Sequence, residues 1–308
     1  MGNTSSTIRK NTPRTSPARL CFIVEDRYQH DAMPGEVIKA LDAAGHDVDV
    51  LRPHSMLASL SRLDPIDGDG YDGYVLKTVS SGPGLSILEA AGAAGGVTIN
   101  DYRSIRLARD KGVAASLARA AGLPFPKTYF AARSALVEQV PAEMYPLVVK
   151  PNNGSSCEQI FRIDNAAQLA GLDVDDDGFL LVQRYLPNPG YDVKLYNTGD
   201  EVFSVVRRSP LHPGADVTEQ LVPMTAEWRK LALRVGRVFG LDIYGLDVID
   251  TPHGWMILDI NDFPGFSKVP DAAQRIANTI VRVTSHSQKP QQRVSTALHR
   301  KIVLDASA

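Results

Sequence analysis

Hydrophobic positions in the first third of the chain fall into short unbroken runs separated by amphipathic stretches. Residues 20–24 (Leu-Cys-Phe-Ile-Val) are apolar throughout and of strand length. In residues 34–44, Val37, Ile38 and Leu41 recur on one helical face, and Gly45 supplies a stop. Residues 48–51 and 74–76 repeat the strand pattern. Strands with no polar alternation, spaced by helices, predict a parallel sheet covered by helices, since such a sheet has no wet face. A further helix is predicted over residues 110–121, closed by Gly122, Pro124 and Pro126.

Beyond that helix the texture becomes strand-rich. Strands are predicted at residues 147–150, 179–186, 191–196 and 202–207, with Asn197-Thr198-Gly199-Asp200 as a hairpin turn. One helix interrupts them: Thr225 can cap it, Trp228, Leu231, Val235 and Val238 form its apolar stripe, and Gly240 ends it. A second hairpin joins residues 244–250 to residues 255–260 through Thr251-Pro252-His253-Gly254. The expected fold class is therefore α/β followed by α+β, a parallel-sheet unit and then a mixed unit.

The two ends lack this periodicity. Residues 1–19 hold no acid, seven Ser/Thr, two Pro and four Lys/Arg, the signature of a disordered tail; a myristoylation pattern at Met1-Gly2 with Ser6, or a transit peptide, is the alternative. Residues 284–308 read as a loose extension. The most hydrophobic stretch, residues 85–99, is broken by Glu89 and three glycines and is too short to span a bilayer. With 33 Lys+Arg against 35 Asp+Glu in 308 residues, no basic excess points to nucleic acid. Two cysteines, Cys21 and Cys157, exclude a disulfide scaffold or a four-cysteine zinc site and make a reducing cytoplasmic setting the expectation.

Two motifs look chemical without being so. Gly68-Asp69-Gly70-Tyr71-Asp72-Gly73 fits GxGxxG but precedes a strand, so no helix N-terminus follows for a pyrophosphate. Asp173 to Gly178 copies half of a calcium loop, yet Arg184 occupies the position of the bidentate carboxylate, which leaves an acidic turn.

Three other segments carry more. Residues 146–150 form an apolar strand ending in Lys150, followed by a Gly/Ser loop at Gly154, Ser155 and Ser156; a fixed cation beside turn N–H groups suits phosphate, and a plain strand with a surface lysine is the alternative. Residues 180–186 form a strand whose backbone can meet an adenine edge, and Asp192 and Lys194 follow on one face of the next. In the last hairpin, Asp259 and Asn261 share a strand face, and the turn brings Asp247 opposite them to within about one residue of register. Carboxylates inside apolar strands need a cation, either Mg²⁺ held by these oxygens or an arginine in a structural ion pair.

Taken in order, these segments resemble the ATP-grasp superfamily over nearly all of residues 20–282, and the match includes residues 104–111 and 122–128. Residues 105–128, the Asp192/Lys194 strand and Arg207-Arg208 look like the ribosomal-protein glutamate ligase (RimK) type. Residues 74–77, 206–210 and 259–265 look like inositol trisphosphate 5/6-kinases. Arg184 stands where the ligases commonly carry an acid, and Asp259-Ile260-Asn261 where they commonly carry Glu-Val-Asn. The resemblance implies an N-terminal pre-ATP-grasp domain at residues 20–105 and a two-lobed ATP-grasp domain at residues 106–283, with lobes of about 106–190 and 191–283. It implies that Lys111 and Lys150 bind ATP phosphates under the Gly154–Ser156 loop. Gln183, Arg184, Tyr185 and Leu186 would line the adenine, and Asp192 would approach the ribose. Asp247, Asp259 and Asn261 would hold Mg²⁺, with Mn²⁺ as the alternative. Lys194, Arg207 and Arg208 would face the transferring phosphoryl, and Lys77, His212, Gly265 and Lys268 the substrate.

Both branches open with in-line attack on the ATP γ-phosphoryl. A ligase attacks with a carboxylate and passes the acyl phosphate to an amine; a kinase attacks with a hydroxyl. The near-neutral chain offers few cations for a polyphosphate, which favours an ATP- and Mg²⁺-dependent carboxylate–amine ligase acting on a small-molecule or peptide acid. The inositol phosphate kinase is the alternative, and a silent nucleotide-binding protein is a third. Neither nucleic acid nor membrane is an expected partner.

Overall fold

The computed structural model describes residues 17–63, 70–78, 82–152, 160–171 and 179–286. The terminal segments 1–16 and 287–308, the loop Gly154–Ser156 with Cys157, the acidic turn 173–178 and the start of the GxGxxG stretch lie outside them.

The chain begins with β1 (Arg19–Val24), α1 (Ala32–Ala43), β2 (Asp47–Leu51), β3 (Gly73–Lys77), α2 (Gly84–Ala93), β4 (Thr98–Ile99) and α3 (Tyr102–Arg109). The four strands form a parallel sheet in the order β2-β1-β3-β4. β1 is central and buried on both faces, which is why it reads as an unbroken apolar run, whereas edge strand β2 alternates and turns Asp47 and Asp49 outward. Met33 has extended backbone, so regular winding of α1 begins at Pro34, where a fixed φ and a missing N–H cost nothing. α2 falls in the stretch read only as hydrophobic. Leu88 and Ala91 are fully buried and Leu85 and Ile87 partly so, and a helix apolar on most sides shows no period.

Next come α4 (Lys111–Ala120), β5 (Thr128–Ala131), β6 (Leu147–Pro151), β7 (Phe161–Ile163) and β8 (Leu180–Arg184). β5, β8, β6 and β7 make an antiparallel sheet in that order. The last portion is β9 (Tyr191–Asn197), β10 (Val202–Arg208), β11 (Gln220–Val222), α5 (Ala226–Phe239), β12 (Tyr244–Thr251), β13 (Gly254–Asn261) and α6 (Ala272–His286). Its sheet is antiparallel, in the order β11-β10-β9-β12-β13. Both predicted hairpins close where expected, β9 with β10 and β12 with β13. Strands β4, β5, β7 and β11 are too short to carry a legible alternation, and the hydrophobic pattern does not predict α3 or α6. Thr225 caps α5 by accepting from the Trp228 N–H at 3.1 Å, and Gly240 closes it in the left-handed region. The buried stripe runs through Trp228, Ala232, Val235 and Phe239, with Leu231 and Val238 at its margin.

Of four cores among the described residues, two hold the five-stranded sheet in place. One lies between the five-stranded sheet and helices α4 and α5, and contains Val193, Leu195, Leu246, Val248, Ile257 and Ile260. The other is shared: Leu20, Phe22 and Val24 of β1 pack with Tyr196, Val205, Phe263, Phe266 and Ile276 from the C-terminal portion. No helix among the described residues is long and apolar enough to cross a membrane.

Candidate active site

Alternation along the five-stranded sheet sorts its residues. Val193 and Leu195 of β9, and Leu246 and Val248 of β12, enter the core under α4 and α5. Asp192, Lys194 and Asp247 must then face the other way. In β13 both Ile257 and Ile260 reach the same core although strict alternation forbids it. A bulge resolves this: Asp247 pairs with Asp259 and Val248 with Ile257, which leaves Leu258 as the extra residue. The result is a cross-strand row, Lys194 beside Asp247 beside Asp259, with Asn261 on the same face.

Cations reach this row from three elements. Lys194 Nζ donates to Asp247 Oδ1 at 2.5 Å. Lys111, in the first turn of α4 after the N-cap Asp110, donates to both Asp259 oxygens at 2.7 and 2.6 Å. Lys150, near the end of β6, donates to the Leu258 carbonyl at 3.0 Å. The bulge that displaces Leu258 from the ladder thus also places an acceptor for Lys150. The Gly112 N–H donates to Asn152 Oδ1 at 2.8 Å, which ties the segment carrying Lys111 to the one carrying Lys150.

Burial by itself would push the Asp259 carboxyl up, but the ammonium groups of Lys111, Lys150 and Lys194 outweigh it and hold it below the usual carboxylate range. Asp192 goes the other way. Burial and the neighbouring Asp247 charge raise it, against opposing contributions from Ser209, Arg207 and Lys194, and its Oδ1 is buried without a hydrogen-bond partner.

These residues surround a cleft of about 420 Å³. Of the residues singled out in the sequence, Lys77, Lys111, Lys150, Gln183, Arg184, Tyr185, Leu186, Asp192, Lys194, Arg207, Asp247, Asp259 and Asn261 all line it. Four others do not. Arg208 is exposed and donates to the Pro213 carbonyl; Gly265 and Lys268 are exposed; His212 sits behind Tyr185, whose hydroxyl meets its Nε2 at 3.0 Å. The Leu186 carbonyl accepts from Asn188 Nδ2, and the Tyr185 N–H donates to the Pro146 carbonyl. Tyr28, in the segment after β1, joins Lys77 and Thr78 on the N-terminal wall.

Among the described residues no three His, Cys, Asp or Glu side chains gather as a metal cluster. A divalent cation at the row would therefore draw on two carboxylates and the Asn261 amide, and complete its shell with phosphate or water oxygens. That hard-oxygen set fits Mg²⁺, and the two lysine ammonium groups already show that each carboxylate accepts positive charge.

Several structured polar residues carried no role in the sequence pattern. Arg109 pairs with Asp262 in the cleft wall, and Asn100, 2% exposed, bonds across to the Ile243 and Asp262 carbonyls. The Arg109-Asp110-Lys111 run and the acid after Asn261 were the available signals for the first pair; nothing in the pattern marks Asn100.

A probable alpha-L-glutamate ligase of Shewanella denitrificans is 27% identical over 274 residues, which span 80% of this chain and 90% of that one. Its counterpart in Legionella pneumophila is 24% identical over 289 residues, 85% of this chain and 93% of that one. The fold is that of a RimK-domain ATP-grasp protein from Sphaerobacter thermophilus (TM-score 0.70, 18% identity, 85% of this chain and 99% of that one). It is also that of the D-alanine–D-alanine ligase of Bacillus anthracis (TM-score 0.66, 14% identity, 88% and 98%). The model of the RimK-like ATP-grasp domain matches residues 108–283, more than half of the chain and the stretch that supplies the whole lysine–carboxylate row, so this protein belongs to the RimK-like ATP-grasp family of ATP-dependent carboxylate–amine ligases.

Proposed function

We propose that the cleft binds MgATP and uses it to join the carboxylate of a small molecule or peptide to an amine, with L-glutamate the first substrate to try because the relatives bear that name. The observation that carries this reading is the Lys194–Asp247–Asp259 row flanked by Lys111 and Lys150. In it, Lys111 and Lys150 take the phosphates, Gln183 to Leu186 line the adenine, Asp192 meets the ribose, and Asp247, Asp259 and Asn261 hold the cation. Mg²⁺, when bound there, neutralises charge on the phosphate oxygens.

The substrate carboxylate attacks the γ-phosphorus while its bond to the ADP oxygen breaks, and ADP leaves with that electron pair. Lys194 and Arg207 balance the charge on the phosphoryl in flight. The amine then attacks the acyl carbon, phosphate departs, and the amine loses one proton to give the amide. Residues 20–105 act as the pre-ATP-grasp unit, and lobes of about 106–190 and 191–283 close around the nucleotide. Cys21, a free and buried thiol, suits a cytoplasmic setting.

The test is incubation with ATP, Mg²⁺ and hydroxylamine over pools of amino acids and acidic peptides. Acid-dependent hydroxamate with matching ADP supports the ligase. Phosphate transfer to an inositol phosphate, with no hydroxamate from any acid, would sink it.

A further inference from the structure

The end of β13 is held from the N-terminal side. Arg109, on α3, meets Asp262 in a two-point pair, Nε to Oδ1 and Nη2 to Oδ2, both at 3.0 Å. The same guanidinium donates to the Thr78 hydroxyl at 3.1 Å and the Thr78 carbonyl at 3.0 Å, just past β3. Both partners are nearly closed to solvent, with side chains 8% and 12% exposed. Lys77 Nζ adds a bond to the Phe263 carbonyl at 2.6 Å, and Asn100 Nδ2 one to the Asp262 carbonyl at 2.7 Å. The Asp262 and Phe263 groups that receive these bonds come immediately after Asn261.

Burying such a pair is a poor way to gain stability, because well-packed apolar residues of similar volume often do as well or better. What a guanidinium fork adds is geometry: two parallel bonds fix a carboxylate in plane and in direction. We propose that Arg109 is a positioning residue. By clamping Asp262 against the carboxyl end of β3, it sets the orientation of Asp259 and Asn261 and thereby the affinity of the nucleotide-bound divalent cation. It also joins the wall that carries Lys77 to the strand that carries the cation ligands. This rests on the proposed function, in which those two side chains hold the cation.

The measurement needs no acceptor substrate. Mn²⁺ affinity of the ADP complex is read by electron paramagnetic resonance, ADP affinity in EDTA by calorimetry, and folding by thermal melting. Arg109→Met should weaken Mn²⁺ binding about 10- to 100-fold, as loss of a group that orients a metal ligand does, while metal-free ADP affinity stays within about 3-fold. Arg109→Lys, which keeps the charge and loses the fork, should recover only part of the loss. Should Arg109→Met fail to fold, Arg109→Met with Asp262→Leu removes both buried charges together and gives the same readout. Folded variants that bind Mn²⁺–ADP as tightly as the parent overturn the proposal, as does an equal loss of ADP affinity in EDTA. A parent protein that binds no Mn²⁺–ADP at all overturns the functional reading itself, and this inference with it.

Discussion

The two faces of the five-stranded sheet share one backbone and do opposite work. Toward α4 and α5 the strands present Val193, Leu195, Leu246, Val248, Ile257 and Ile260, all buried. Toward the cleft the intervening positions present Asp192, Lys194, Asp247, Asp259 and Asn261. The apolar face gains by removing surface from water and is indifferent to direction, whereas the polar face gains nothing from burial unless each charge meets a partner at a fixed angle. One face therefore specifies stability, while the other divides between the polar row and the apolar Tyr196 and Val205 that pack on β1, and alternation along β9 keeps the two faces apart.

The separation can be attacked from either side. The largest effect should come from Leu246→Ala: the side chain is fully buried, and its loss should cost about 2–5 kcal/mol in denaturant unfolding. The protein that remains folded should still bind ADP normally, and weakened ADP affinity in it would mean the faces are not independent. Next, Asp259→Asn should cut ATP turnover with the true substrate by roughly 100-fold, about 2.7 kcal/mol, and should lower the melting temperature by less than Leu246→Ala does, because the lysine-held carboxylate is favoured in the folded state. A fall in stability like that of Leu246→Ala would break the comparison from the other side. Thr225→Ala, which removes the cap of the helix covering the apolar face, should cost about 1 kcal/mol and leave turnover alone. The smallest effect belongs to Asp192. Its carboxyl is raised in the folded state, so its ionised form opposes folding, and the protonated form is the one the fold favours. Asp192→Asn should thus raise the melting temperature slightly at neutral pH, and the gain should fade as pH falls toward the ordinary aspartate value near about 3.9. A gain that grows in acid would refute the assignment.

Much of this was legible in the chain because a charge inside an apolar strand is expensive and so stands out. Asp247 and Asp259 could be singled out on that ground, Lys150 as a cation fixed at a strand end and Lys194 by its spacing from Asp192, and they meet in one cleft. Central strands such as β1 and β9 were legible for the complementary reason, since burial on both faces or strict alternation leaves a mark. The Arg109–Asp262 pair was not, because its partners lie 153 residues apart and only the packed fold brings them together. Nor was the bulge. Alternation alone put Asp247 and Asp259 within a residue of register; the extra Leu258 makes them direct neighbours and turns its own carbonyl to Lys150. Arg208, Lys268 and Gly265 drew attention through their motifs, yet the backbone leaves them at the surface.

The core shared between β1 and the C-terminal portion sets a limit on modularity. Residues 108–283 are the unit that descent recognises, but they do not close on themselves. Tyr196, Val205, Phe263 and Phe266 find their cover in Leu20, Phe22 and Val24. A fragment cut at the family boundary would carry a sticky apolar face and should self-associate at concentrations where the whole chain stays dispersed. Inheritance and solubility thus draw their borders in different places, and a graft of this five-stranded sheet onto a new partner would have to bring β1 along.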